Sequence, residues 1–99
     1  MRLQPDHIAV IKRVTAQVLG DDARVTLFGS RVDDLARGGD IDLFIEAPTP
    51  LPNRVVAAAR LAARIERQLG GRQIDVVLVD PDTPSKTVHA EARAHGILL

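Results

Sequence analysis

Two aspartates one residue apart, Asp40 and Asp42, open the apolar run Asp-Ile-Asp-Leu-Phe-Ile-Glu at residues 40–46. On an extended strand, residues i and i+2 face the same side, roughly 7 Å apart along the backbone. Like charges set among apolar neighbours cost stability unless something cationic lies between them, and a divalent metal meets that need. Upstream, an apolar run ends in Gly29-Ser30, followed by Arg31. Glycine lets a backbone approach phosphate closely. Successive N–H groups with a serine hydroxyl can cradle its oxygens, and arginine adds a charge-assisted contact. Metal-dependent chemistry on a nucleotide is the reaction class these residues suggest.

The same physical test finds a third carboxylate. Asp75 stands between Ile74 and Val76-Val77-Leu78-Val79. If that strand pairs beside residues 40–46, Asp75 joins Asp40 and Asp42 around a shared point. Three carboxylates suit Mg²⁺, a hard cation with a preference for oxygen, and two such ions can neutralise a triphosphate and align an attacking hydroxyl. Each feature alone has a plainer reading. Gly-Ser is usually a turn, Asp-x-Asp a surface feature, and Asp75 a partner for an arginine of a neighbouring helix. Their combination, in this strand context and order, favours the site.

The elements that must position these residues follow from periodicity. Residues 5–19 read as an amphipathic helix, with Pro5 at its first position, Ile8, Ile11, Val14 and Val18 at helical spacing, and Gly20 as its stop. Residues 24–29 and 40–46 read as strands joined by a polar loop or single helical turn. On the second strand Asp40, Asp42 and Phe44 share one face, and Ile41, Leu43 and Ile45 the other. The proline-rich stretch 47–52 breaks the sheet. A helix is expected over 53–69, its buried stripe formed by Val55, Ala58, Ala62, Ile65 and Leu69, with Arg54, Arg60, Arg64 and Arg67 mostly outside. Gly70-Gly71 ends it, residues 73–80 form a third strand, and a last short helix spans roughly 85–94. The apolar terminus Ile97-Leu98-Leu99 should be packed, in the domain or in an interface. The expected architecture is an α/β (α+β) single domain over 1–99, in the order α-β-β-α-β-α. Its small mixed sheet would have three strands, a fourth being open, with helices flanking it.

Composition narrows the function. The chain has 99 residues, 13 basic and 13 acidic, a formal net charge of zero and no cysteine. Balanced charge gives no reason for bulk attraction to nucleic acid or membrane. Phe28 and Phe44 are the only aromatic residues, too few for a base-stacking platform, so no direct nucleic-acid partner is expected. Without cysteine there is no thiol catalysis and no zinc-thiolate site. No segment has the length of a membrane span, Lys12-Arg13 interrupts the N-terminal apolar stretch, and a cytoplasmic location is the default expectation.

Phe28-Gly29-Ser30, nine intervening residues, Asp40-Ile41-Asp42, and then Asp75 on a later strand follow a recognisable order. The pattern resembles the DNA polymerase β-type nucleotidyltransferase superfamily, in particular its minimal nucleotidyltransferases (MNT), over nearly the full chain. The resemblance implies the polymerase β-like fold, and two Mg²⁺ ions held by Asp40 and Asp42. Asp75 would complete the catalytic metal site and help activate the acceptor hydroxyl, while Gly29 and Ser30 would hold the β- and γ-phosphates of ATP or another NTP. Many relatives follow Gly-Ser-Arg with a second arginine and a glycine. Val32, Asp33 and Asp34 stand here instead and add negative charge near the expected triphosphate.

Larger members of that superfamily carry an added helical domain for base and acceptor, whereas 99 residues leave no room for one. The resemblance therefore implies a partner, often a helical HEPN-type toxin, which the MNT protein neutralises by adding AMP to a tyrosine. Two alternatives stand beside this reading. The fold can act as a non-catalytic binding antitoxin, or it can be the catalytic subunit of a homo- or hetero-oligomer that modifies a small molecule such as an aminoglycoside. His7, His89 and His95 share no metal-ligand spacing, and Asp80 and Asp82, beside prolines, read as turn residues. The arginines of the 53–69 helix read as a solvated face, or in a minority reading as a contact for an acidic partner.

Overall fold

The computed structural model describes residues 5–28, 41–84, 90 and 96–99. Helix α1 spans Pro5–Leu19. Its inner stripe is the expected one, with Ile11 and Val14 fully buried and Ile8 and Val18 packed beside them. Thr15 is buried too, its hydroxyl donating to the carbonyl of Ile11 at 2.8 Å. Gly20 ends the helix at φ +96°, a conformation that costs glycine little, and its N–H reaches the Ala16 carbonyl at 2.9 Å.

Strands β1 (Arg24–Phe28) and β2 (Ile41–Glu46) pair antiparallel, and β3 (Ile74–Val79) joins β2 in parallel. A fourth strand is present: β4 (Ile97–Leu98) pairs antiparallel with β1 and completes a mixed sheet in the order β3-β2-β1-β4. The apolar terminus is thus docked on the sheet edge, where the Leu99 N–H donates to the Val25 carbonyl at 2.8 Å. Of the last helix expected over 85–94, only Ala90 belongs to the described residues, and it is helical.

Helix α2 spans Arg54–Gln68, capped by Asn53, whose side-chain oxygen accepts the Val56 N–H at 3.2 Å. Gly70 and Gly71 close it at positive φ, with the Gly71 N–H bonded to the Glu66 carbonyl at 2.8 Å. The stripe differs from the expected one at two places. Leu61 is fully buried alongside Ile65, whereas Val55 is 80% exposed. At about 100° per residue, Leu61 and Ile65 centre the buried arc and Val55 falls about 80° round from Ile65. Ala58 and Leu69 pack against the core as expected.

Alternation along the strands gives the sheet two unlike faces. Val25, Leu27, Ile41, Leu43, Ile45, Ile74 and Leu78 form one core cluster with Ile11 and Val14 of α1 and Leu61 and Ile65 of α2. Both helices therefore cover the same face. The opposite face carries a smaller cluster, Phe44 and Val79 with Phe28 and Val77 packed beside them. No helix among the described residues is long and apolar enough to cross a membrane.

Candidate active site

The two-residue period that buries Ile41, Leu43 and Ile45 turns Asp42 to the other face of the sheet, and on β3 it does the same to Asp75 between Ile74 and Val76. Parallel pairing then sets Asp42 directly beside Asp75 in register. Neighbouring strands lie about 4.8 Å apart, so the two carboxylates share one end of one face. The register is fixed at both ends of the ladder. The Ile41 N–H donates to the Gln73 carbonyl at 3.1 Å, and the Ala47 N–H to the Val79 carbonyl at 2.8 Å. Asp42 is half-buried and Asp75 exposed, a gradient that leaves the pair open on the Asp75 side.

On its other side Asp42 faces Phe28, the last residue of β1 and the one before Gly29 in sequence. A row of three register partners, Phe28–Asp42–Asp75, thus crosses β1, β2 and β3. Phe28 also meets Phe44 edge-to-face, ring centroids 6.5 Å apart at 86°. This contact packs an apolar wall directly behind the carboxylates.

Of the site residues expected from sequence, the structure brings Asp42 and Asp75 together. Asp40, Gly29, Ser30 and Arg31 lie outside the described residues. Among the described residues no group of three acidic or histidine side chains forms a metal cage. Two adjacent carboxylates are hard oxygen donors, the type of ligand that Mg²⁺ takes. Two open grooves among the described residues lie elsewhere. One, of about 490 Å³, runs between α1 and the β1–β4 edge, and the other, of about 580 Å³, lies beside the start of α2. Neither touches Asp42 or Asp75.

Asp80 does more than turn the chain. It is only 8% exposed, and its carboxylate accepts the Leu51 N–H and the Asp82 N–H, both at 2.9 Å, and the Thr83 hydroxyl at 3.1 Å. The Leu51 N–H is the main force holding its carboxyl below the usual aspartate range. Burial opposes this, and Thr83, Asp82 and the Arg54 charge assist. Asp80 thereby ties the proline-rich 47–52 segment to the end of β3. The sequence signal was local: Asp80-Pro81-Asp82-Thr83 is a string in which short polar side chains bond their own backbone.

Residues 8–95 match the family described as Nucleotidyltransferase domain. Among curated proteins, none matches the sequence. Two solved structures resemble the chain. A chain of a mutant toxin–antitoxin MntA–HepT crystal structure is 26% identical, with a TM-score of 0.60 over 98% of this chain and 71% of that one. A chain of the toxin–antitoxin MntA–HepT crystal structure is 25% identical, with a TM-score of 0.51 over 91% of this chain and 69% of that one. The mixed sheet, the in-register aspartates and a family match over nearly its whole length lead to one conclusion: the chain belongs to the nucleotidyltransferase domain family.

Proposed function

We propose that the chain transfers a nucleoside monophosphate, AMP from ATP, to a hydroxyl of a partner protein, and that this modification neutralises a toxin. The observation that carries the reading is the register pairing of Asp42 with Asp75, beside the end of β1 that leads into Gly29-Ser30. Family membership supports nucleotidyl transfer, and similarity to chains of toxin–antitoxin complexes supports a toxin as the acceptor.

Asp42 and Asp75, with Asp40, would hold Mg²⁺, which when bound neutralises triphosphate charge and lowers the pKa of a coordinated hydroxyl. Gly29, Ser30 and Arg31 would bind the β- and γ-phosphates through backbone N–H groups, hydroxyl and guanidinium. The acceptor oxygen forms a bond to the α-phosphorus, the bond to the β-phosphate oxygen breaks, and pyrophosphate leaves. The hydroxyl proton passes to a carboxylate. Asp75, the more exposed of the two, would receive it. ATP as substrate implies a cytoplasmic reaction. On a toxin, the added phosphate would place negative charge where RNA must bind.

The test incubates the chain with labelled ATP, GTP, CTP or UTP, Mg²⁺ and the protein encoded beside it, then locates the label by mass spectrometry. Label on a partner side chain, from ATP, is the expected result. Label on an aminoglycoside would redirect the reading to a small-molecule transferase. An Asp42→Ala chain that neutralises its partner as well as the wild type would reduce the protein to a binding antitoxin.

A further inference from the structure

The outward side of α2 carries charge of one sign. Arg60, Arg64 and Arg67 are all exposed, as are Ala59 just before them and Ala63 between Arg60 and Arg64. The helix has a single carboxylate, Glu66, and this is turned toward β3, where it accepts the Ile74 N–H at 3.2 Å. Among the described residues the three arginines make no hydrogen bond or ion pair, whereas Arg54, at the start of the helix, is bonded to the Thr83 hydroxyl. Like charges at spacings of four and three on a helix repel one another, so the arrangement works against the helix that carries it. The chain as a whole is neutral, and this basic face is a local segregation of charge.

The same side also holds apolar surface. Val56, half exposed, stands in line with Arg60, Ala63 and Arg67 at spacings of four, three and four, a straight stripe about 16 Å long. Val55 lies half a turn round from Arg64 and lines a separate groove with Asn53, Arg54, Asp80 and Asp82, so it is not part of this stripe. The stripe's spacing is how one helix packs along another, and small alanines beside the arginines allow close approach.

We infer that the outer face of α2 is a docking surface for an acidic helix of a partner protein, with carboxylates opposite Arg60, Arg64 and Arg67 and an apolar side chain against Val56 and Ala63. A second copy of this chain does not fit, because a two-fold contact would set the arginine row near its own equivalent. Nucleic acid fits less well, since Val56 and the exposed alanines Ala59 and Ala63 offer nothing to phosphates, and neither phenylalanine lies on this helix. The inference deepens the proposed function by naming the surface that holds the toxin. That surface lies on the α1 and α2 side of the sheet, so the acceptor hydroxyl must belong to a part of the partner that reaches round the sheet edge to Asp42 and Asp75.

The test measures binding of the neighbouring-gene protein, the acceptor in the labelling experiment, by calorimetry. Changing all three arginines to glutamine should weaken Kd at least about fiftyfold, and Val56→Asp at least about tenfold, while Lys12→Glu on α1 leaves it within about twofold. Raising salt from about 50 to 300 mM should weaken the wild-type complex steeply and the glutamine variant little. Circular dichroism establishes that the variants are folded, and Val56→Asp places an acid in the first helical turn, where it favours the helix. Unchanged Kd in both α2 variants overturns the inference. So does a duplex RNA probe that binds the wild type more tightly than the protein does and is lost with the arginines. A partner held through α2 that never takes label leaves this surface standing and removes the transfer reading. A labelled partner with unaltered Kd in the variants does the reverse.

Discussion

Asp42 and Asp75 are register partners on adjacent parallel strands, on the sheet face that neither α1 nor α2 covers. Thirty-two residues separate them in sequence. A single crossover, β2 through α2 to β3, brings them side by side, and its register decides whether they meet. A slip of one residue would send Asp75 into the core and expose Ile74 or Val76 in its place.

Asp42→Asn and Asp75→Asn each should lower transfer by a hundredfold or more, on the order expected for removing a charge-stabilising group from an active site. Thermal unfolding should show the fold kept, with stability unchanged or raised by up to about 1 kcal/mol as repulsion between partly solvated carboxylates is relieved. Wild-type rates in both variants would end the carboxylate-pair mechanism.

Metal dependence can be read without turnover. Mg²⁺ with a non-hydrolysable ATP analogue, at about a hundred times its Kd, should stabilise the chain by about 2.7 kcal/mol, and EDTA should abolish the gain. Asp75→Asn should show little of it. An equal shift in chelator and in Mg²⁺ would exclude a metal-coupled nucleotide site.

The two faces of α2 predict opposite outcomes for neighbouring aliphatic residues. Leu61→Ala should cost about 2–5 kcal/mol in denaturant unfolding, because Leu61 is fully buried between the sheet and α1. Val55→Ala should stay within about 0.5 kcal/mol. Similar losses at both positions would mean that Val55 is covered in solution.

Asp80 gives a sign to the acid limb. Its folded pKa is lowered, so the stabilisation is complete above the unfolded value, about 3.9. The stabilisation disappears as pH falls through the folded value. Asp80→Asn should therefore flatten the loss of stability below about pH 4. An acid limb identical to the wild type would mean that the bonds from Leu51, Thr83 and Asp82 do not discriminate between the two protonation states.

Much of this was legible in the sequence because the signals were local or periodic. The alternation in residues 40–46 gave both the buried face and the carboxylate face of β2, and the helical spacing of Ile8, Ile11, Val14 and Val18 gave α1. The lone Asp75 could be matched to Asp42 only on the condition that their strands pair, which is a tertiary fact, and the structure supplies it. Val55 was misassigned because a wide run of alanines leaves the centre of a helical stripe poorly defined until Leu61 finds the core. Asp80 was under-read for a different reason. Its most distant donor, the Leu51 N–H, lies 29 residues away, beyond any local pattern. Gly29, Ser30, Arg31 and Asp40 remain expectations from motif order, outside the described residues.

The sheet is one strand-layer thick, with α1 and α2 on one side and Asp42 and Asp75 on the other. If the outward side of α2 holds the partner, substitutions there would alter which protein is bound without crossing the layer that spaces the carboxylates. Inheritance would then retarget such a chain by rewriting one helix surface, leaving its chemistry a fixed cartridge behind a replaceable label.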